Sequence, residues 1–287
     1  CHHHLRNVWI KGTEKFVSVF LRVVVSDSLE QIPAELRVTC IFMAIARAWD
    51  KFFSLCAKYP KGQGEHFAAW LRVNKPGTAL YHVVGAQGSR HDLCLEAAPA
   101  IYMNRYVCFD YASYLLRLPK KQDNILLRCL FVLMTSEEII AQSRLYAILY
   151  ISFCVPMRWL AAKTPELGKW GWGLIANGDA IDTLREKMMD LVDDPNKVLN
   201  EDFMINMFRK YIDALPPFKS YWEHLFQKKR MNVVASESSA TVLQFAELRK
   251  ELFSPSDMTN AGTNGQLIEL AKVAAQEILD ELHNEKK

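Results

Sequence analysis

The chain has no paired Cys-x-x-Cys spacing and no even set of cysteines. Its seven cysteines are scattered at positions 1, 40, 56, 94, 108, 129 and 154. An odd, scattered set argues against the disulfide framework of a small secreted domain. Most of these cysteines lie on apolar helical stripes, where a thiol packs as a small core residue. We therefore expect free thiols in a reducing, intracellular compartment.

Long hydrophobic runs are also missing. The longest, residues 145–155, has eleven residues and lies between Arg144 and Arg158, whereas a membrane-spanning helix needs about 20 apolar residues. We therefore expect no membrane partner. Half of the 287 residues are nevertheless hydrophobic and 23% are charged. This composition is enough to bury a large core and excludes a disordered chain.

The common enzyme motifs are missing as well. The sequence has no Gly-x-Gly-x-x-Gly, no Walker loop, no Gly-x-Ser-x-Gly and no His-Glu-x-x-His. The chain therefore lacks the signatures of dinucleotide-binding enzymes, P-loop enzymes, α/β-hydrolases and zinc peptidases. No site for an organic cofactor is expected in the chain.

What the sequence does have is helical periodicity over most of its length. Apolar residues recur at i, i+3, i+4 and i+7, as on one face of a helix. One clear stripe begins behind Pro33 and contains Val38, Ile41, Phe42, Ile45, Trp49, Phe52, Phe53 and Cys56. Only residues 78–84 and 232–235 resemble strands. We predict a mainly α fold, a multi-helix globular array with few or no strands.

Capping patterns predict where several helices begin. In a capping box, a side-chain oxygen and a later acid or amide satisfy free backbone N–H groups. The candidate pairs are Ser89 with Asp92, Thr135 with Glu138, and Thr241 with Gln244. The helix behind Thr135 is nearly apolar all round once residues 145–155 are included, so it should be central and buried. The predicted main core is Phe42, Ile45, Trp49, Phe52 and residues 145–150.

Composition suggests two helical domains. Residues 164–179 contain four glycines and two tryptophans, which favours a connection between residues 1–163 and residues 180–287. Charge is divided unevenly along the chain. Residues 1–121 have 16 Lys/Arg against 9 Asp/Glu, a net +7, and residues 122–287 have 19 against 23, a net −4. The excess of cations permits a nucleic-acid partner for the first part.

A basic face near the start of the chain is the candidate DNA-binding surface. It lies opposite an apolar stripe that contains Trp9, and its cations are Arg6, Lys11, Lys15 and Arg22. Lysine and arginine side chains at helical spacing can contact phosphates in succession. Solvated helix faces also carry such residues, so an ordinary surface remains the alternative.

Cys1 and His4 have the spacing of half a zinc site. A structural zinc ion takes four ligands, usually from a second pair downstream. No such pair follows, because His66, His82 and His91 are isolated in the sequence. We treat Cys1 and His4 as weak metal candidates and otherwise expect no metal site.

The first residues, Cys-His-His-His-Leu-Arg-Asn, resemble a stretch of Mutator-like transposases with the RNase H-like fold. In that family a cysteine and a histidine, followed by Arg-Asn, come just after the second catalytic aspartate. Residues 88–92, Gly-Ser-Arg-His-Asp, are similar to a helix entry of hAT-like transposases, with His91 where those have an aromatic residue. Over most of its length the chain is similar to multicopy proteins of single-celled algae that we associate with mobile elements.

This resemblance implies a fragment of a transposase-derived protein. The two upstream aspartates would precede residue 1, and Mg2+ would belong to the complete parent protein. A third carboxylate would have to come from this chain, and the candidates are Glu96, Glu137 and Glu138. Each of them is equally explained as a surface or capping acid.

The function we expect is the helical portion of a mobile-element protein, associated with duplex DNA in the nucleus and not catalytic alone. The alternative is a helical scaffold or protein-interaction domain without catalysis, whose partner would be another protein or a second copy of this chain.

Overall fold

A computed structural model describes residues 41–53, 63–78, 80–81, 92–119, 121, 124–155, 179–207, 209, 245–254 and 258–284. Of these residues, 86% are helical. The mainly α fold predicted from periodicity is therefore confirmed. None of the helices in these ranges is long and apolar enough to cross a membrane.

The helices are numbered here in chain order. They are α1 (Ile41–Phe53), α2 (Gly64–Asn74), α3 (Asp92–Leu116), α4 (Ile125–Thr135), α5 (Glu137–Leu149), α6 (Asp179–Asp193), α7 (Glu201–Ile205), α8 (Phe245–Phe253) and α9 (Met258–Asn284). A π-helical segment, Tyr150–Cys154, directly follows α5, and a 3-10 helix, Pro195–Leu199, lies between α6 and α7.

Residues 78, 80 and 81 are the described part of the strand-like segment 78–84, and they form no strand. Leu80 forms only an isolated bridge. The Tyr81 backbone is bonded instead to the side chain of Asn104 on α3, which accepts from the Tyr81 N–H at 2.9 Å and donates to the Tyr81 carbonyl at 2.7 Å. These bonds occupy the backbone groups that a neighbouring strand would need. The other strand candidate, 232–235, lies outside the described residues.

The start of α5 is displaced by one residue from the predicted capping box. Thr135 is the last residue of α4, and Ser136 is the residue that precedes α5. The Ser136 hydroxyl donates to Glu138 Oε2 at 2.6 Å and does not cap a backbone N–H. Two helices therefore meet almost directly at this point. Thr241 and Gln244 lie outside the described residues, as does Ser89, although α3 does begin at Asp92.

Helix α5 is the centre of the packing. It contacts α3 and α9 extensively and also touches α4 and α8, while α9 in turn packs against α6. Every residue of α5 from Glu138 to Leu149 except Ile140 is buried. Phe42, Ile45, Trp49 and Phe52 are buried as well. The predicted core is therefore confirmed, with the difference that Tyr150 is only partly buried.

An aromatic cluster joins α1, α2 and α3. The ring of Phe53 lies 4.8 Å from that of Trp49 on the same helix and 5.3 Å from that of Phe67 on α2. Phe67 in turn lies 4.9 Å from Tyr111 on α3. Offset and edge-on ring pairs at such distances add to the stability gained from apolar burial.

A buried arginine ties α5 to the last two helices. Arg144 is 2% exposed. Its Nε donates to the Leu252 carbonyl of α8 at 2.8 Å, and its Nη1 donates to Asn264 Oδ1 of α9 at 2.6 Å. Gln266 on α9 adds a further link, because its amide donates to Glu138 Oε1 at 3.2 Å. Helices from both predicted domains thus share one core, and the division at 164–179 stays a prediction because residues 164–178 lie outside the described ones.

The first prediction concerns the core. Trp49→Ala should lower the free energy of unfolding by about 3 to 5 kcal/mol, since it removes a large buried aromatic side chain. Val73, 79% exposed on α2, provides the control, and Val73→Ala should change stability by less than about 0.5 kcal/mol. Urea unfolding followed by circular dichroism measures both. Equal stability of the Trp49 variant and the parent would contradict the core position.

The second prediction concerns the buried cation. Arg144→Met keeps most of the side-chain volume but removes the donors to Leu252 and Asn264, so we expect a loss of about 2 to 4 kcal/mol. Arg185→Met breaks a partly exposed pair with Asp182 on α6 and should cost no more than about 1 kcal/mol. Equal losses in the two variants, measured by urea unfolding, would show that Arg144 does not hold α8 and α9.

Candidate functional site

The catalytic candidate Glu96 lies on α3 and is half-buried. It is within electrostatic range of Tyr81, as is Tyr150, the first residue of the π-helical segment. Asn104, two turns further along α3, positions Tyr81 through the two backbone bonds described above. The structure thus places Glu96 within electrostatic range of the Tyr81 phenol, which the sequence did not associate with it.

Burial governs the chemistry of this group. It raises the pKa of the Tyr81 phenol well above its usual value near 10, and the charges of Tyr150 and then Glu96 raise that pKa further. The Tyr81 hydroxyl is buried and has no hydrogen-bond partner among the residues that the structure describes. A neutral phenol can donate a proton only at high pH in such surroundings, so Tyr81 is unsuited to acid–base work near neutrality.

The second catalytic candidate, Glu138, forms hydrogen bonds that have a structural role. It is 9% exposed, and its two oxygens accept from the Ser136 hydroxyl and from the Gln266 amide of α9. Glu137 beside it is exposed and lies 3.4 Å from the same amide. These bonds fix the first turn of α5 against α9. This arrangement favours the interpretation of Glu138 as a helix-terminal acid that joins two helices.

Side chains that can bind a metal ion do not cluster in the described ranges. There, no three His, Cys, Asp or Glu side chains form a group that could hold a metal ion. A small cavity beside Trp49, Arg105 and Ser143 has room for about one water molecule. The weak metal candidates Cys1 and His4 lie outside the described residues, as do the proposed DNA contacts Arg6, Lys11, Lys15 and Arg22.

An exposed surface of mixed aromatic and basic character lies where the ends of α2 and α3 meet. We call it the Trp70–Tyr114 surface, and it consists of Trp70, Val73, Lys75, Tyr114 and Arg117. The two rings lie 6.2 Å apart. Val73 is almost fully exposed, Tyr114 is 42% exposed, and Arg117 is exposed. Large apolar groups on a surface beside cations are typical of binding sites.

Sequence reasoning missed the Trp70–Tyr114 surface because its residues come from two helices some forty positions apart. A local signal did exist, since Trp70 and Val73 are three residues apart and so lie on one face of α2. Lys121, four residues after Arg117, is half-buried in the turn after α3.

No protein family, curated protein or solved structure matches this chain. The residues themselves therefore carry the functional argument.

The third prediction uses the buried phenol. Folding raises the Tyr81 pKa, so its contribution to stability is complete below about pH 10 and falls by up to about 1.4 kcal/mol for each further pH unit. Tyr81→Phe should leave stability at pH 7 unchanged or slightly higher, because it removes a hydroxyl without a partner. Above pH 10 the variant should lose less stability than the parent. Urea unfolding at pH 7 and pH 11 measures the difference, and parallel losses would contradict it.

Proposed function

We propose that this chain is the helical portion of a transposase-derived, mobile-element protein that associates with DNA and does not catalyse a reaction alone. The supporting sequence features are the Cys1-to-Asn7 stretch and the +7 charge of residues 1–121. The structural observation that carries the proposal is the Trp70–Tyr114 surface, which adds an exposed tyrosine, a half-buried tryptophan and cations to that basic part of the chain. An intracellular, nuclear location belongs to the same proposal.

The acids of the described helices support a non-catalytic role. Two-metal phosphoryl transfer needs carboxylates directed together at Mg2+ ions. Glu138 instead accepts from Ser136 and Gln266, and Glu96 lies within electrostatic range of the Tyr81 phenol. In the proposed parent protein, Mg2+ would be held by aspartates that precede this segment.

A protein-interaction scaffold is the second candidate, and exposed apolar side chains favour it. Val73, Tyr106 and Met189 are each at least half exposed, at 79%, 51% and 51%. They lie on three different helices, α2, α3 and α6. Such side chains contribute to an interface when they form one patch, and the scaffold would then bind a protein or a second copy through one of these helices.

The fourth prediction tests association with duplex DNA. The parent chain should retard a duplex of unrelated sequence in a mobility-shift titration at about 50 mM salt and release it by about 200 mM. Changing Arg6, Lys11, Lys15 and Arg22 together to Gln should make the dependence of log K on log salt shallower by up to about 3.6, which is 0.9 for each lost phosphate contact. Neither protein should cleave the duplex in Mg2+.

The matched control changes four exposed cations outside the first 121 residues, namely Arg128, Arg209, Lys250 and Lys272, to Gln. The control should bind like the parent. Loss of binding in both variants alike would show that net charge and not the basic face matters. Absence of binding by the parent at 50 mM salt would favour the scaffold.

A further inference from the structure

We propose that the Trp70–Tyr114 surface binds single-stranded nucleic acid, with a base stacked on the exposed Tyr114 ring beside the half-buried Trp70 and a neighbouring phosphate on Arg117. The inference rests on the proposed function for its choice of nucleic acid as the partner. It assigns a second nucleic-acid-binding surface, in addition to the predicted basic face of Arg6, Lys11, Lys15 and Arg22. Its ligand is a single strand, whereas the basic face is expected to bind a duplex.

The rings of this surface are held by buried neighbours. Tyr111, which is fully buried, lies 5.3 Å from Trp70 and 6.3 Å from Tyr114. Phe67, also buried, stacks on Trp70 at 6.4 Å with the ring planes 17° apart. The Trp70 and Tyr114 rings are therefore fixed before any ligand arrives. A fixed ring loses little conformational entropy when a base stacks on it.

Cations lie at the edge of these rings. Arg117 is the first residue after α3, and its backbone N–H donates to the Tyr114 carbonyl at 3.2 Å, so the two residues lie one tight turn apart on the same side. It is exposed and forms no ion pair within the described part of the chain. Lys75 lies at the end of α2 and pairs with Asp110 on α3 at 2.8 Å. The pair is half-exposed, so a phosphate can compete with Asp110 for the lysine.

The combination of rings and cations favours single-stranded nucleic acid over duplex DNA or a protein partner. Bases in a duplex are stacked on each other and cannot lie on a protein ring, whereas unpaired bases stack on aromatic side chains while cations follow the backbone. A protein partner would be expected to use a broader apolar patch. Here the apolar part consists of two rings and the Val73 side chain, and cations border it.

The experiment is a fluorescence-anisotropy titration of a labelled oligothymidylate of about 20 nucleotides, a length that exceeds typical site sizes. The full chain is compared with Tyr114→Leu, Tyr114→Phe, Arg117→Gln and Asp110→Asn. Thermal melting of each variant establishes that it is folded. Met189→Ala, which removes an exposed apolar side chain on α6, and Lys272→Gln, which removes an exposed cation on α9, are the controls.

Loss of the ring should weaken binding at least about fivefold in Tyr114→Leu, while Tyr114→Phe keeps the parent affinity, because stacking needs a ring and not a hydroxyl. Arg117→Gln should make the salt dependence of log K shallower by about 0.7, the value for one phosphate contact on a single strand. Asp110→Asn should tighten binding by up to about fivefold, because it removes a repelling charge next to the phosphate. Both controls should bind like the parent.

Several outcomes would overturn the proposal. Binding by Tyr114→Leu that equals that of the parent would exclude base stacking. Self-association of the parent that Tyr114→Leu abolishes, without oligothymidylate binding, would identify the surface as a protein interface. Retardation of duplex without binding of oligothymidylate defeats this inference and leaves the proposed function standing. Binding of oligothymidylate without retardation of duplex would support this inference and contradict the proposed association with duplex DNA.

Discussion

The guanidinium group of Arg144 is a permanent positive charge inside an apolar helical core, and the arrangement of α5, α8 and α9 depends on it. Burying a charge is costly unless hydrogen bonds replace its hydration. The Leu252 carbonyl and the Asn264 amide oxygen supply such bonds. Apolar packing alone would allow α9 to slide along α5. A planar group that donates in fixed directions to two helices permits one register only.

The parts of the fold that depend on local pattern could be predicted from the sequence, and those that depend on distant partners could not. Phe42, Ile45 and Trp49 are buried because a 3.6-residue period places them on one face, which is visible in any eleven-residue window. The partners of Arg144 lie 108 and 120 positions away along the chain. Nothing local distinguishes Arg144 from a surface arginine. The same limit applies to the strand-like segment 78–84, since Asn104 binds the Tyr81 backbone from 23 positions away.

The candidate sites also separate into features that local sequence indicates and features that depend on distant partners. Residue type alone identified Glu96 and Glu138 as possible catalytic acids. The role of an acid, however, depends on the groups that surround its carboxylate. Glu138 faces Ser136 and Gln266, so its oxygens are used in joining α5 to α9. No sequence motif identifies the Trp70–Tyr114 surface, because its residues come together only where the ends of two helices meet. Residues 1–40, with Cys1, His4 and the basic face, stand as predictions from the sequence alone.

The π-helical segment Tyr150–Cys154 changes how this stretch of sequence tolerates insertions and deletions. A π-helical turn is geometrically an α-helix that has accepted one additional residue. Removing one residue here would therefore restore α-helical bonding with little rotation of the residues that follow. A deletion within α5 itself would instead rotate those residues by about 100°, the turn of one α-helical residue. Phe153 and Cys154, both buried, would then face different neighbours. Residues 145–149 are apolar on all sides because this part of α5 is buried on all sides.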